Sequence, residues 1–245
     1  MLSRMLPRLI SSFFVPLTLA FSLPTGAAEQ VSGINRVSFH NPEYNKNFVG
    51  NGFLISFKNK LYAVTVKHAL LEARSPEMST VSLDGHISEW QIHPNQAPEQ
   101  KVVLGALLNA SEQEKIDIKI LQKDWLVFEV TRNDSNLRPL TIRDTPLKAG
   151  ETVSAFGCSY ANKSSCKQDH YTGTFVETLD NNLRVAMENL KPAELRGLSG
   201  SPVLDANHQL VGIVSNILPA KDGNGFDFAP ANLNYLREVL EGMEQ

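Results

Sequence analysis

A serine hydroxyl is a poor nucleophile at neutral pH until a base takes its proton and a carboxylate orients that base. Three short stretches of the sequence supply these residue types. Ser199 lies in "RGLSGSPVLD" (residues 196–205), His68 follows the apolar run "LYAVTV", and Asp124 precedes "WLVFEV". Each also has an ordinary reading. Glycine and serine clusters are common turn chemistry, and a lone histidine is often a surface or satisfied core residue. Asp124 could be a turn acid, and Asp117 in "EKIDIKIL" competes for its role. Asp124 is preferred because Trp125, Val127 and Glu129 alternate behind it with Leu126, Phe128 and Val130, as in a strand feeding a cleft. The joint order His, Asp, Ser, each beside a β-type run, points to nucleophilic catalysis. An elbow of the Gly-x-Ser-x-Gly kind fails, since Ser201 breaks the motif and only His208 follows Ser199 as a base. His40, His86, His93 and His170 carry no motif and read as surface or structural residues. No nearby pair of His or Cys completes a ligand set, so neither a metal nor another cofactor is expected.

Rigid elements must bring these residues together. "GFLISF" and "LYAVTV" are short β-type runs split by the turn signal "KNK", which predicts a hairpin. "STVSLDG", "EWQIH", "KVVLGALL", "IDIKIL" and "WLVFEV" continue the pattern, while "LLNASEQEK" reads as a helical turn or a solvated loop. The polar, turn-rich "TRNDSNLRPLTIRDTPLKAGE" connects two halves. Strand-like runs resume with "TVSAFG", "YTGTFVETL", "NLRVAMENL", "SPVLD", "QLVGIVS" and "GFDFAP". Leu233, Leu236, Leu240 and Met243 then recur at helical spacing and predict a closing amphipathic helix. An all-β chain follows, as two antiparallel barrels or a large sandwich.

The first 28 residues stand apart. Arg4 and Arg8 precede the apolar "LISSFFVPLTLAFSL" and the small-residue "PTGAA", the layout of a secretory signal cleaved after Ala28. A membrane anchor is the alternative; Pro16 and the shortness of the run speak against it. Removing residues 1–28 from the 245-residue chain leaves 217, and loss of the two arginines takes the formal net charge from −3 to −5. Such a chain has no basic groove for nucleic acid and no later membrane span. Export makes a local Cys158–Cys166 disulfide the first expectation, against a pair of reduced thiols. Secretion or a periplasmic location follows from the signal; the oligomeric state does not follow from anything in the sequence.

At this point the sequence resembles the chymotrypsin-like (trypsin-fold) serine proteases. "AVTVKHAL" is similar to their Thr-Ala-x-His stretch, "KDWLVFEV" to the strand bearing the catalytic acid, and "GLSGSPVLDANHQLVGIVS" to their Gly-x-Ser-Gly-Gly-Pro segment and the hairpin after it. "LKAGETVSAFG" and "GNGFDFAPANLNYLREVL" resemble the second-barrel opening and the final segment of exported bacterial members such as the HtrA-like proteases, with no sequence left for a PDZ module. The resemblance implies two six-stranded antiparallel β-barrels with a C-terminal helix: residues 29–140 forming the first barrel, 141–245 the second barrel and helix. It implies a serine endopeptidase acting on proteins or peptides through His68, Asp124 and Ser199, with the amides of Gly197 and Ser199 as oxyanion donors. Ser215 matches the serine that supports the acid and begins the substrate-binding strand, continued by Asn216.

Two departures stand out. Leu198 replaces the aspartate that, in animal digestive enzymes, pairs with a newly cut N-terminus, and Ser201 replaces the second glycine. In the primary pocket, Ala193 occupies the position that is acidic in trypsin-like enzymes, and Val214 the position of a histidine in glutamyl endopeptidases. Phe226 and Phe228 share a strand face and could line an apolar base, which implies cleavage after Ala, Val or Leu, with Glu194 or Asp227 as the acids that would favour Arg or Lys instead. A catalytically silent trypsin-fold binding protein is the rival reading.

Overall fold

Short runs that alternate between apolar and polar residues bury one face, and closing such a sheet on itself leaves no open edge. The computed structural model, which describes residues 29–243 apart from 189, 222 and 224, does this twice. The strands are β1 (Gly33–Phe39), β2 (Asn51–Phe57), β3 (Lys60–Thr65), β4 (Thr80–Val81), β5 (Ile87–His93), β6 (Val102–Leu107), β7 (Ser111–Lys115) and β8 (Leu126–Asn133) in the first half. The second half has β9 (Thr152–Gly157), β10 (Asp169–Leu179), β11 (Asn182–Met187), β12 (Pro202–Asp205), β13 (Leu210–Pro219) and β14 (Phe226–Asn232), followed by helix α1 (Asn234–Gly242). One closed antiparallel barrel has the order β1-β2-β3-β8-β6-β5 and the other β10-β11-β14-β13-β12-β9, with β4 and β7 as a separate pair. The fold is chymotrypsin-like. The proposed signal segment, residues 1–28, lies outside the described residues.

The β2–β3 hairpin turns at Lys58 and Asn59, with φ of 47° and 64°, the left-handed pair that matches strand twist in a two-residue connection. Three expectations need correction. "IDIKIL" is a 3-10 helix over Ile118–Lys123, not a strand. The Asp117 side chain caps it by accepting from the Lys119 N–H at 2.8 Å, while Ile120 is buried and Ile118 is 69% exposed. Side-chain capping outcompeted the β-type composition. The stretch read as helical turn or loop instead contains β7, a polar strand whose partner is the two-residue β4. The alternation expected behind Asp124 also fails at first, since residues 125–128 are all buried.

The first core is not confined to its barrel. Phe53, Ile55, Trp125 and Phe128 pack in one cluster with Leu204, Leu210 and Ile213 of the second half and with Leu236 and Leu240 of α1. A second cluster, with Val153, Tyr171, Phe175, Val185 and Phe228, fills the second barrel. The chain passes between the halves near residue 141: Leu140 bridges to Ile55, and Ile142 to Leu210. Arg143 then ties this crossing to Glu151 at 2.5 Å and Asp205 at 3.1 Å.

Candidate active site

The segment after β3 turns sharply into a 3-10 helix, Lys67–Leu71, and exposes the His68 ring. Its neighbour Lys67 is fully buried, with Nζ 2.7 Å from Glu114, 3.3 Å from Tyr235 Oη and 4.6 Å above that tyrosine's ring centroid. The histidine turn is therefore anchored to β7 and α1. Asp124 ends the next 3-10 helix just before β8, and its side chain is fully buried. Trp125 holds it there by donating from Nε1 to the Asn232 carbonyl at 2.9 Å.

These elements bring His68, Asp124 and Ser199 together. Asp124 Oδ1 accepts from the His68 backbone N–H at 2.9 Å, and Oδ2 lies 2.6 Å from His68 Nδ1. Ser215 Oγ donates to the same Oδ2. On the far side of the ring, Nε2 lies 2.7 Å from Ser199 Oγ. With a proton on Nδ1 shared toward the carboxylate, Nε2 is left as an acceptor for the serine hydroxyl. Asp117 is not part of this group; its carboxylate is occupied in capping.

Ser199 is held in a glycine-rich turn. Gly197 and Gly200 have φ of +93° and +83°, where side chains are strained, and a Cβ on Gly200 would sit 1.9 Å from the Asn51 carbonyl oxygen. The Gly197 and Ser199 amides donate to no group among the described residues, so two N–H donors flank the serine. Leu198 is fully buried within the second-barrel cluster, where apolar packing anchors the turn. Ser201 is also fully buried, and it fits because Gly157 opposite has no side chain: a Cβ there would meet Ser201 Oγ at 1.9 Å.

A cavity of about 230 Å³ opens beside the serine, lined among others by Gly50, His68, Glu72, Tyr160, Arg196 and Ser199. Burial, and then the adjacent Glu72 carboxylate, push the Tyr160 phenol up to about 12; it donates to Glu72 at 3.3 Å. Tyr160 belongs to the loop closed by the Cys158–Cys166 disulfide. The other residues expected at a substrate pocket do not line this cavity. Ala193 is exposed on the 3-10 helix Pro192–Glu194. Ser215 and Asn216 lie where the β13–β14 ladder shifts register, Phe226 is half-buried at the start of β14, and Phe228 is taken up by the second core. Glu194 engages Asn162, and Asp227 pairs with Arg184.

Sequence reasoning missed the supports. Lys67, Asn51 and Trp125 contact partners dozens to more than a hundred positions away, and nothing local marks them. His93 is buried, with Nδ1 2.8 Å from the Pro94 carbonyl, and His170 stacks on Phe156 at 4.7 Å.

A family model described as a trypsin-like peptidase domain matches residues 50–213. Among solved structures, a Glu endopeptidase in complex with MPD is similar over 89% of this chain and 93% of its own, with a TM-score of 0.56 and 16% identity. The active form of the Rv3671c protease from M. tuberculosis is similar over 87% of this chain and 80% of its own, with a TM-score of 0.54 and 15% identity. No curated protein sequence matches the chain.

Proposed function

The chain belongs to the trypsin-like peptidase domain family, and from that premise we propose that it is a secreted serine endopeptidase working through an acyl-enzyme. The observation that carries this reading is the unbroken line of contacts from Asp124 through His68, 2.6 Å away, to Ser199, a further 2.7 Å. Ser199 Oγ attacks the scissile carbonyl carbon as His68 Nε2 takes its proton. The buried Asp124 carboxylate holds the neutral ring as its Nδ1–H tautomer and stabilises the imidazolium that then forms. The carbonyl oxygen, now an oxyanion, accepts from the Gly197 and Ser199 amides, and losing one such donor typically costs roughly 10²–10³ in rate. Collapse of the tetrahedral adduct breaks the C–N bond, and the departing amine takes the proton from Nε2. Water then attacks the ester with His68 again as base, restoring the serine.

Residues 1–28 act in this reading as a cleaved signal, residues 29–140 and 141–245 as the two halves of the cleft. The Cys158–Cys166 bridge and the fold are compatible with an extracellular protein, and among the described residues no helix is long and apolar enough to cross a membrane. Substrate pairs with Ser215 and Asn216, and its side chain before the cut enters a pocket near Ala193 and Phe226. The acids next to those positions in sequence, Glu194 and Asp227, are engaged elsewhere, which favours cleavage after Ala, Val or Leu.

Digestion of a peptide library by wild type and Ser199→Ala tests the reading. Wild type should cleave after small or medium apolar residues and the variant should be inert. Equal cleavage by both would remove Ser199 from the chemistry, cleavage mainly after Arg or Lys would overturn the pocket assignment, and inertness of both would leave the silent binding module.

A further inference from the structure

Asn51, the first residue of β2, is 1% exposed, and the three hydrogen bonds of its carboxamide all reach from the first barrel to the second half of the chain. Nδ2 donates to the Gly197 carbonyl at 2.7 Å and to the Cys158 carbonyl at 3.0 Å. Oδ1 accepts from the Cys158 N–H at 2.8 Å. Its backbone N–H donates to the Ser199 carbonyl at 2.6 Å. On its other side, the Asn51 carbonyl accepts from Thr65 Oγ1 at 2.7 Å, which fixes the residue within the first barrel.

The carboxamide bonds bear on the two peptide units that flank Gly197, one directly and one through Cys158. In a trans peptide the C=O and N–H point in opposite directions. The Arg196 carbonyl accepts from the Tyr160 N–H at 2.8 Å, so the Gly197 N–H is turned the other way. Gly197 sits at φ +93°, a conformation open to glycine, and has no side chain to fix its two flanking peptides. Asn51 restrains them twice: directly through the Gly197 carbonyl, and indirectly by gripping Cys158 by both backbone groups, two residues before Tyr160. The Ser199 amide is held separately, since the carbonyl of its own peptide accepts from the Ser201 N–H at 3.0 Å.

We propose that Asn51 is a positioning residue for the oxyanion hole, a carboxamide from the first barrel that sets the direction of the Gly197 amide in the second. The proposal rests on the reading of Ser199 as nucleophile. It places the effect in the transition state, because a ground-state carbonyl draws less on the Gly197 amide than an oxyanion does.

The test compares Asn51→Ala and Asn51→Asp with wild type on a peptide that wild type cleaves. Asn51→Asp is isosteric and keeps the acceptor for Cys158 but, as the carboxylate, cannot donate to Gly197, so, assayed at a pH where it is ionised, it serves if the alanine variant does not fold. The expected result is a fall in kcat of about 10–100-fold, below the roughly 10²–10³ of losing a donor outright, with KM within about twofold. Affinity for a peptide aldehyde, which forms a tetrahedral oxyanion on the serine, should fall by the same factor as kcat/KM. Peptide affinity measured in a Ser199→Ala background should be unchanged by either substitution. An unchanged kcat in a folded variant, or a rise in KM alone, would overturn the proposal. A wild-type protein inert to peptide and aldehyde alike would instead overturn the protease reading on which it rests.

Discussion

Asp124 accepts from the His68 backbone, the His68 ring and Ser215 with its two oxygens, whereas Asp117 caps a helical turn. Asparagine can cap as well as aspartate, but at position 124 it would present an amide to a ring nitrogen that must donate. Asp124→Asn should therefore lower kcat by on the order of 10⁴ and Asp117→Asn should leave it nearly unchanged; steady-state kinetics with the reverse ranking would exchange their roles. The Ser201–Gly157 contact makes a second claim. Gly157→Ala should destabilise by about 1–3 kcal/mol through overpacking, and Ser201→Gly in the same chain should recover part of it in denaturant melts. If the two effects simply add, the contact does not explain why glycine occupies position 157.

At the scale of elements, what was legible in the sequence was local. The hairpin at Lys58–Asn59, the strands near the histidine and serine, and α1 each carry their signal within ten or so residues. Ile118 and Ile120 give their run a β-type composition, but the Asp117 cap turns it into a 3-10 helix. The polar strand β7 has no apolar face to announce it, since its partner is only two residues long. Lys67 and Asn51 were illegible for a different reason: their partners Glu114, Tyr235, Cys158 and Gly197 are set by tertiary packing. Two elements carry testable energetics. Burial of His93 at the end of β5 holds its pKa below the ordinary 6.5, so the fold favours the neutral ring. Its contribution is complete above about pH 6.5 and lost as pH falls through the lowered value, and His93→Gln should flatten the acid limb of a Tm-against-pH curve. An equally steep limb in the variant would assign acid sensitivity elsewhere. The Cys158–Cys166 bridge spans eight positions, and removing it as a double serine variant should cost about 2.5 kcal/mol, with no free thiol in the denatured wild type.

Over the whole molecule, the two barrels are not independent bodies joined by a linker. Leu236 and Leu240 of the last helix sit in the first core, Tyr235 lies under Lys67 beside the histidine, and Trp125 reaches across to Asn232. Leu236→Ala should cost about 2–5 kcal/mol and lower a single cooperative transition; two separated transitions would show that the halves unfold apart. This joining lets a base from one barrel face a serine from the other at 2.7 Å, and the central claim is that the serine is activated there. The most direct measurement is labelling of the folded protein with a fluorophosphonate followed by peptide mapping. One stoichiometric adduct on Ser199, lost in His68→Ala, is expected; absence of label, or label on another residue, would mean that Ser199 is not the activated nucleophile.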